Sequence, residues 1–157
     1  MTHQNDSDPG VSFQFVRLSA LGGREVHDLL KLRFDVFILE QQSLYPEIDG
    51  RDVDAVHLIA ADAAGAPAAT LRMLGVDGGG PVYIGRVAVR ADMRGTGLGR
   101  AMMAAALEHI ASAAPGRPVR LGAQTYLEDF YASFGFRAIS GVYDDGGIPH
   151  VDMEKAP

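Results

Sequence analysis

The stretch 81–110, "PVYIGRVAVRADMRGTGLGRAMMAAALEHI", constrains the fold more than any other part of the chain. An apolar run rich in β-branched residues passes through a glycine-rich turn directly into an apolar run at helical spacing. A strand must therefore lead into a helix that packs back on a sheet. On that helix Arg100, Ala104, Glu108 and Ser112 share one i+4 stripe, with His109 beside it, and nearly everything else is apolar. Most of the helix surface is expected to be buried, with one narrow wet face.

The turn reads Arg94-Gly95-Thr96-Gly97-Leu98-Gly99-Arg100. A nucleotide triphosphate loop needs Lys and then Ser or Thr after its last glycine, but Arg100 and Ala101 follow here. A dinucleotide turn needs Gly-x-Gly-x-x-Gly. Counted from Gly95 its last position is Arg100, and counted from Gly97 it is Met102, so both registers fail. What fits is Arg-x-x-Gly-x-Gly. The first backbone N–H groups of a helix have no partner within the helix, small residues let an anion approach them, and the helix dipole favours its charge. A pyrophosphate suits such a turn, although a plain strand-to-helix turn also uses glycine for backbone reasons.

The rest of the chain fills in around this unit. Residues 1–11, "MTHQNDSDPGV", are expected to form a disordered tail before a single domain spanning 12–157. "VSFQFVRL" alternates as a strand. "REVHDLLKLRFDVFILEQ" carries an apolar stripe of Val26, Leu29, Leu30, Phe34, Phe37 and Ile38 and predicts a helix. Residues 42–54, with Pro46 and Gly50, read as a structured loop. "AVHLIAAD" and "PAATLRMLGVD" read as a hairpin turning at Gly65. After the glycine-loop helix come a short strand "VRLGAQ" and a short helix "YLEDFYASFGF" capped by Gly135. The strands "RAISGVYD" and "IPHVDME" close the chain. The expected fold is α/β (α+β): one domain built on a mixed, mostly antiparallel sheet of about six to seven strands flanked by helices.

Composition narrows the function. A net charge of −6 argues against nucleic acid, which calls for a basic face, and is compatible with a cationic substrate. No cysteine is present, so disulfides, thiolate metal sites and a cysteine nucleophile are excluded. His3, His27, His57, His109 and His150 have no ligand spacing, and no metal is expected. The polar first residues are unlike a secretory signal and no apolar run is long enough for a bilayer, so a cytoplasmic protein with no membrane partner is expected.

The strand "YIGRVAVR" followed by "RGTGLG" resembles the acetyl-CoA-binding core of the GNAT acetyltransferase superfamily. "FYASFGF", with Tyr131, Gly135 and Phe136 as Tyr-x-x-x-Gly-Phe, stands in the helix where that superfamily has it. The element order matches over about residues 12–155. "LRFDVFILEQ", "YPEIDGRD", "LGAQ" and "GIPH" are most similar to the ElaA-like branch. The resemblance implies acetyl-CoA as co-substrate and no metal, with strands 82–89 and 119–124 splayed around the pantetheine arm. Backbone groups at Val87, Ala88 and Val89 would bind that arm, and Arg94, Gly95, Thr96, Gly97, Leu98, Gly99 and Arg100 would seat the pyrophosphate. It further implies direct attack by an amine on the thioester, a backbone N–H of the first of these strands as oxyanion donor, and Tyr131 as the acid for the leaving thiolate.

The acceptor is expected to be a small-molecule or peptide amine. Five carboxylates, Glu40, Glu47, Asp49, Asp52 and Asp54, lie between 40 and 54 with Arg51 the only basic residue among them. That loop either covers the acceptor cleft or is a solvated acidic surface. Glu40 and Gln41, ending the helix, are the better candidates to face the cleft. Arg72 interrupts an apolar strand beside His57, and a buried arginine needs a carboxylate such as Asp49 or Asp52. Arg33 and Arg86 raise the same question, and ion pairs holding the loop are expected. Gln124, ending its strand, could turn its amide to the cleft, and His150 has a side chain suited to a base. The catalytic set is thus Tyr131, Glu40 and His150; Gln41, Asp49, His57, Arg72, Arg86 and Gln124 are the acceptor-side set. The base itself stays open among Glu40, Asp49, His57, His150 and water.

Two rival functions use the same residues. Acyl-homoserine-lactone synthases, which consume S-adenosylmethionine, carry a similar order of Arg33, Phe37, Glu47, Asp49, Asp52 and Arg72, yet this chain has no tryptophan and keeps the CoA-type loop. A non-catalytic acyl-CoA sensor would have no need of Tyr131. Exposed sheet edges leave room for a homodimer.

Overall fold

The computed structural model describes residues 2–4 and 10–157. The elements are β1 (Thr2–Gln4), β2 (Ser12–Val16), α1 (Gly23–Phe34), β3 (Val56–Ala61), β4 (Pro67–Leu74), β5 (Val82–Val89), α2 (Leu98–Ala113), β6 (Val119–Gln124), α3 (Glu128–Ala132), β7 (Arg137–Ala138), β8 (Tyr143–Asp145) and β9 (Ile148–Lys155). The sheet order is β1-β2-β3-β4-β5-β6-β9-β7, with β8 also paired to β9. Every pair is antiparallel except β5 with β6.

Nine strands form the sheet among the described residues, two more than the sequence pattern suggests. One is β1, which pairs with β2. An edge strand leaves its N–H and C=O groups unpaired, and even a polar segment can fill them with backbone bonds. The expected tail therefore contributes a strand at 2–4, and Val11 is buried in the core. Residues 1 and 5–9 lie outside the described residues. The other extra strand arises because "RAISGVYD" splits into β7 and β8, both of which pair with β9.

Strand alternation sends side chains to two opposite faces. On one face Leu58, Leu71, Met73, Ile84 and Leu121 meet Met102, Met103, Ala106 and Ile110 of α2, with Tyr131 and Phe136 beyond. On the other, Leu29 of α1 covers Val16 and Ile59, and Leu32 of α1 with Val36 and Phe37 just beyond it covers Ala88. The predicted α1 stripe is corrected at one place: Phe34 is 48% exposed. The buried face is Leu29, Leu32, Arg33, Val36 and Phe37, at helical spacing, and Phe34 lies off it. From Asp35 to Glu40 the chain widens into a π-turn, closed by Gln41 N–H to the Val36 carbonyl at 3.1 Å. Such turns recur at functional sites. Here the turn delivers Glu40 and Gln41 to the edge of the sheet.

Candidate active site

β5 and β6 are hydrogen-bonded only at Val82↔Val119 and Tyr83↔Arg120. Beyond that they part, and a cleft of about 860 Å³ opens between them. On its far side β6 stays paired with β9 from Val119 to Gln124, so only the β5-facing edge of β6 is freed. On the β5 side the separation has a local cause. β4 and β5 slip register between Thr70 and Arg72, where one extra residue on β5 makes a bulge. Arg86 sits in it at φ 52°, in the left-handed region that non-glycine residues rarely adopt. Ile84, Gly85, Arg86, Val87 and Val89 line one wall and Leu121, Gly122 and Gln124 the other. Ala88, between them, points the opposite way into the α1 packing.

The cleft runs down to the glycine loop. Gly97 caps α2 at φ 85°, and the first intrahelical bond is from Ala101 N–H to its carbonyl at 3.0 Å. The amides of Leu98, Gly99 and Arg100 are therefore free of helical partners. Gly95 also turns at positive φ, and the Thr96 hydroxyl donates to the Met93 carbonyl at 2.7 Å, which fixes the loop. Gly99 faces the cleft. A Cβ there would meet nothing closer than Val89 Cγ2 at 3.6 Å, so the space it would enter is the cleft itself. Arg100 turns its guanidinium away, over the Phe130 and Phe134 rings, so its backbone and not its side chain is offered. An edge of unpaired strand backbone leading to exposed helix amides fits an extended, phosphate-ended ligand such as acetyl-CoA.

Two contacts cross the cleft from the π-turn. Arg94 donates to the Val89 carbonyl at 3.0 Å and to Glu40 at 2.5 Å. The Gln124 amide donates to the Gln41 side-chain carbonyl at 3.0 Å. The structure thus brings Glu40, Gln41, Arg94 and Gln124 together at the cleft. Glu40 is already committed to a cation, which makes it a poor free base.

Tyr131, from α3, lines the same cleft while only 5% exposed. Phe130 and Phe136 hold its ring edge-on. Burial pushes its hydroxyl up to about 12, and no described residue hydrogen-bonds to it. It is therefore a protonated donor at any working pH. His150, paired with Gln124 in register, also lines the cleft. Its Nδ1–H donates to the Ile148 carbonyl at 2.7 Å, which leaves Nε2 as the acceptor of the neutral ring. Sequence reasoning missed its neighbours Tyr143, Asp145 and Asp152. The available signal was period two: Tyr143 and Asp145, then His150 and Asp152, flank the Gly146-Gly147 turn and share one face of the hairpin.

Asp49, His57 and Arg72, predicted on the acceptor side, do not line the cleft. Arg33, 1% exposed, meets Glu47 and Asp52, both at 2.7 Å. Arg72 meets Asp49 at 2.6 Å and Asp52 at 3.0 Å. Arg86 meets Glu47 at 3.1 Å and Asp49 at 3.3 Å. Three arginines and three carboxylates close one network beneath α1. Hydrogen bonds from Arg72 hold the Asp49 carboxyl well below the usual carboxylate range. Burial alone would raise Asp52, but the Arg33 and Arg72 guanidiniums outweigh it and lower it. Burial lowers His57, whose Nε2–H donates to the Asp52 carbonyl at 2.9 Å. These residues pin loop 42–54. Arg86 alone also reaches the cleft, its guanidinium 4.8 Å over the Tyr45 ring. The charged residues of the set that suggested an S-adenosylmethionine enzyme are thus engaged in mutual pairing.

Comparison with known proteins agrees with this architecture. Residues 24–157 match the model of the acetyltransferase (GNAT) domain. Protein ElaA of Escherichia coli is 37% identical over 92% of this chain and 96% of its own length. Its crystal structure superposes with a TM-score of 0.86, covering 92% of this chain and 99% of that one. An acyl-CoA N-acyltransferase from Pseudomonas aeruginosa is 38% identical, with a TM-score of 0.87 over 93% of this chain and 99% of that one. A GNAT family acetyltransferase from Elizabethkingia anophelis, solved with acetyl-CoA bound, shares the fold at a TM-score of 0.68 and 12% identity, over 96% of this chain and 100% of its own. No helix among the described residues is long and apolar enough to cross a membrane. With a split sheet, a glycine turn at a helix start and relatives matched nearly end to end, the chain belongs to the GNAT acetyltransferase family, on its ElaA-like branch.

Proposed function

We propose that the chain is an N-acetyltransferase that binds acetyl-CoA and passes its acetyl group to a primary amine by direct attack, both substrates being held at once. The observation that carries this is the cleft between β5 and β6. It joins unpaired strand backbone, the free amides of α2 and an unpartnered tyrosine hydroxyl in one space. The description of the Pseudomonas aeruginosa relative supports it.

Bound there, acetyl-CoA would supply an activated acyl thioester. The residues divide the remaining work. The amides of Leu98, Gly99 and Arg100 take the phosphate charge, and the freed β5 backbone at Val87 and Val89 orients the arm. The bulge at Arg86 leaves an extra residue outside the β4 ladder, and a backbone N–H of this stretch would meet the negative charge that develops on the acyl oxygen. His150 Nε2 accepts the proton that the amine must lose. As the new nitrogen–carbon bond forms and the carbon–sulfur bond breaks, the Tyr131 hydroxyl meets the departing sulfur with a proton or hydrogen bond.

The test pairs two variants. Tyr131→Phe is expected to lower kcat by about a hundredfold, the usual yield of one positioned acid, with acetyl-CoA affinity within about twofold of wild type. Gly99→Leu is expected to weaken acetyl-CoA binding without unfolding the protein, because the side chain enters the cleft and not the core. Calorimetry reads binding and CoA release reads turnover. Unchanged turnover in the first variant removes Tyr131 as the acid; unchanged affinity in the second refutes the seat described for CoA.

A further inference from the structure

The acceptor end of the cleft has a charge that its own walls do not neutralise. Among the described residues five charged side chains line the cleft: Glu40, Arg86, Arg94, Asp145 and Asp152. Glu40 and Arg94 satisfy each other, and Arg86 is held by Glu47 and Asp49. Asp145 and Asp152 have no cationic partner among the described residues. Asp152 accepts the Tyr143 hydroxyl at 2.6 Å, a neutral contact that aims the carboxylate and leaves its charge uncompensated. A Cβ at Gly122 would stand 3.0 Å from that hydroxyl, so the glycine makes room for the pair.

The surroundings are aromatic and open to solvent. Tyr45, Tyr126, Tyr143 and His150 line this end, with Tyr143 and His150 stacked at 6.0 Å. The Gly146 turn closes onto loop 42–46: a Cβ there would meet Tyr45 Cδ1 at 3.3 Å and Ser43 Cβ at 3.4 Å. In the same cleft the Tyr131 side chain is buried, and its hydroxyl has no partner among the described residues. Carboxylates beside aromatic faces in a shared concavity favour an alkylammonium ion, whose charge meets the acids and whose methylenes meet the rings.

One cation is not enough to explain the arrangement. The attacking amine must shed its proton, and nearby carboxylates oppose that by favouring the charged form. Acyl transfer then turns the nitrogen into a neutral amide, which would leave Asp145 and Asp152 facing a group with no charge. A second, non-reacting cation removes both difficulties, because it stays paired before, during and after transfer. His150 then handles the reacting nitrogen.

We infer that the acceptor is a dibasic aliphatic amine, one nitrogen of which is acetylated while the other, still protonated, is held by Asp145 and Asp152 between Tyr45, Tyr126 and Tyr143. The inference rests on the acetyltransferase function proposed above.

The experiment measures CoA release by the full chain with acetyl-CoA and three acceptors of equal length: n-butylamine, putrescine and γ-aminobutyrate, with the six-carbon counterparts as a second series. In at least one series the diamine is expected to exceed the monoamine by about tenfold or more in kcat/KM, and the amino acid to fall below both. Asp145→Asn with Asp152→Asn is expected to bring the diamine-to-monoamine ratio to within about twofold, through KM for the diamine, at unchanged acetyl-CoA affinity. A ratio near one in the wild type, or a ratio the double variant does not alter, overturns the dibasic acceptor and leaves the acetyltransferase standing. Binding of acetyl-CoA with no CoA release for any amine overturns both.

Discussion

Two groups of carboxylates in this fold differ in what faces them. Glu47, Asp49 and Asp52 lie close together in the sequence and are met by Arg33, Arg72 and Arg86. Asp145 and Asp152 lie on the two strands of a hairpin, exposed and without a cation among the described residues. The first group has the charge density that suggests a ligand site in a bare sequence, yet it is structural. The second is inconspicuous in sequence and lines the cleft. The difference teaches that a carboxylate is free for a ligand only where the fold has not already given it a counter-ion, and that linear charge density does not report this.

Removing one charge from each setting should separate the two groups most sharply. Arg33→Met leaves Glu47 and Asp52 buried and one charge short. Breaking a buried pair in this way costs about 3–5 kcal/mol. Asp145→Asn removes an acid that no cation answers and should stay within about 0.5 kcal/mol. Urea unfolding of both variants reads the contrast. A loss below about 1 kcal/mol for Arg33→Met would mean that the network is as expendable as the hairpin acids.

The fold was largely legible because its signals are local. The strand at 82–89, the failed dinucleotide registers at Arg100 and Met102 and the Tyr131 helix each identify themselves within a few residues. The ion pairs of Arg33, Arg72 and Arg86 were foreseeable in kind, since buried arginines require partners. Three features were not. The π-turn at Asp35–Glu40 has no marker in an unbroken helical pattern. The pairing of Glu40 with Arg94, 54 residues later, depends on tertiary approach and not on spacing. The carboxylates of the last hairpin become meaningful only when β9 pairs with β6 and turns His150 and Asp152 toward the cleft.

Acid is a gentler probe of the paired group, and His57 should dominate it near neutrality. Its folded pKa is depressed below the ordinary histidine value because it is buried beside two guanidiniums. The unfolded chain therefore takes up a proton there as pH drops through about 6.5, whereas the folded chain does not. Its contribution is complete above that pH and is lost progressively as pH falls toward the folded pKa. The slope for one proton is at most about 1.4 kcal/mol per pH unit. Asp49 and Asp52, also lowered, add their loss only below about pH 4, the ordinary carboxylate range. His57→Gln should flatten the stability profile between about pH 6.5 and 5 and leave the steeper acid limb in place. An unaltered slope in that window would assign the sensitivity to other groups.

The smallest expected effect concerns the residue that touches both regions. Arg86 lines the cleft, pairs with Glu47 and Asp49, and holds φ at 52° inside a strand. Replacing it by alanine or by glycine removes the same ion pairs and the same contact with Tyr45, so the two variants differ chiefly in backbone preference. An L-residue in the left-handed region costs about 1 kcal/mol relative to glycine there. Arg86→Gly should therefore be more stable than Arg86→Ala by about that amount, although glycine would be the worse choice in an ordinary strand. If the bulge also orients the freed β5 backbone, the glycine variant should keep the tighter acetyl-CoA affinity of the two. Equal stabilities would mean that the bulge relaxes once the guanidinium is gone. The ion-pair network would then be what holds the cleft wall in its strained shape, and the paired carboxylates would shape the site from beneath without touching its ligand.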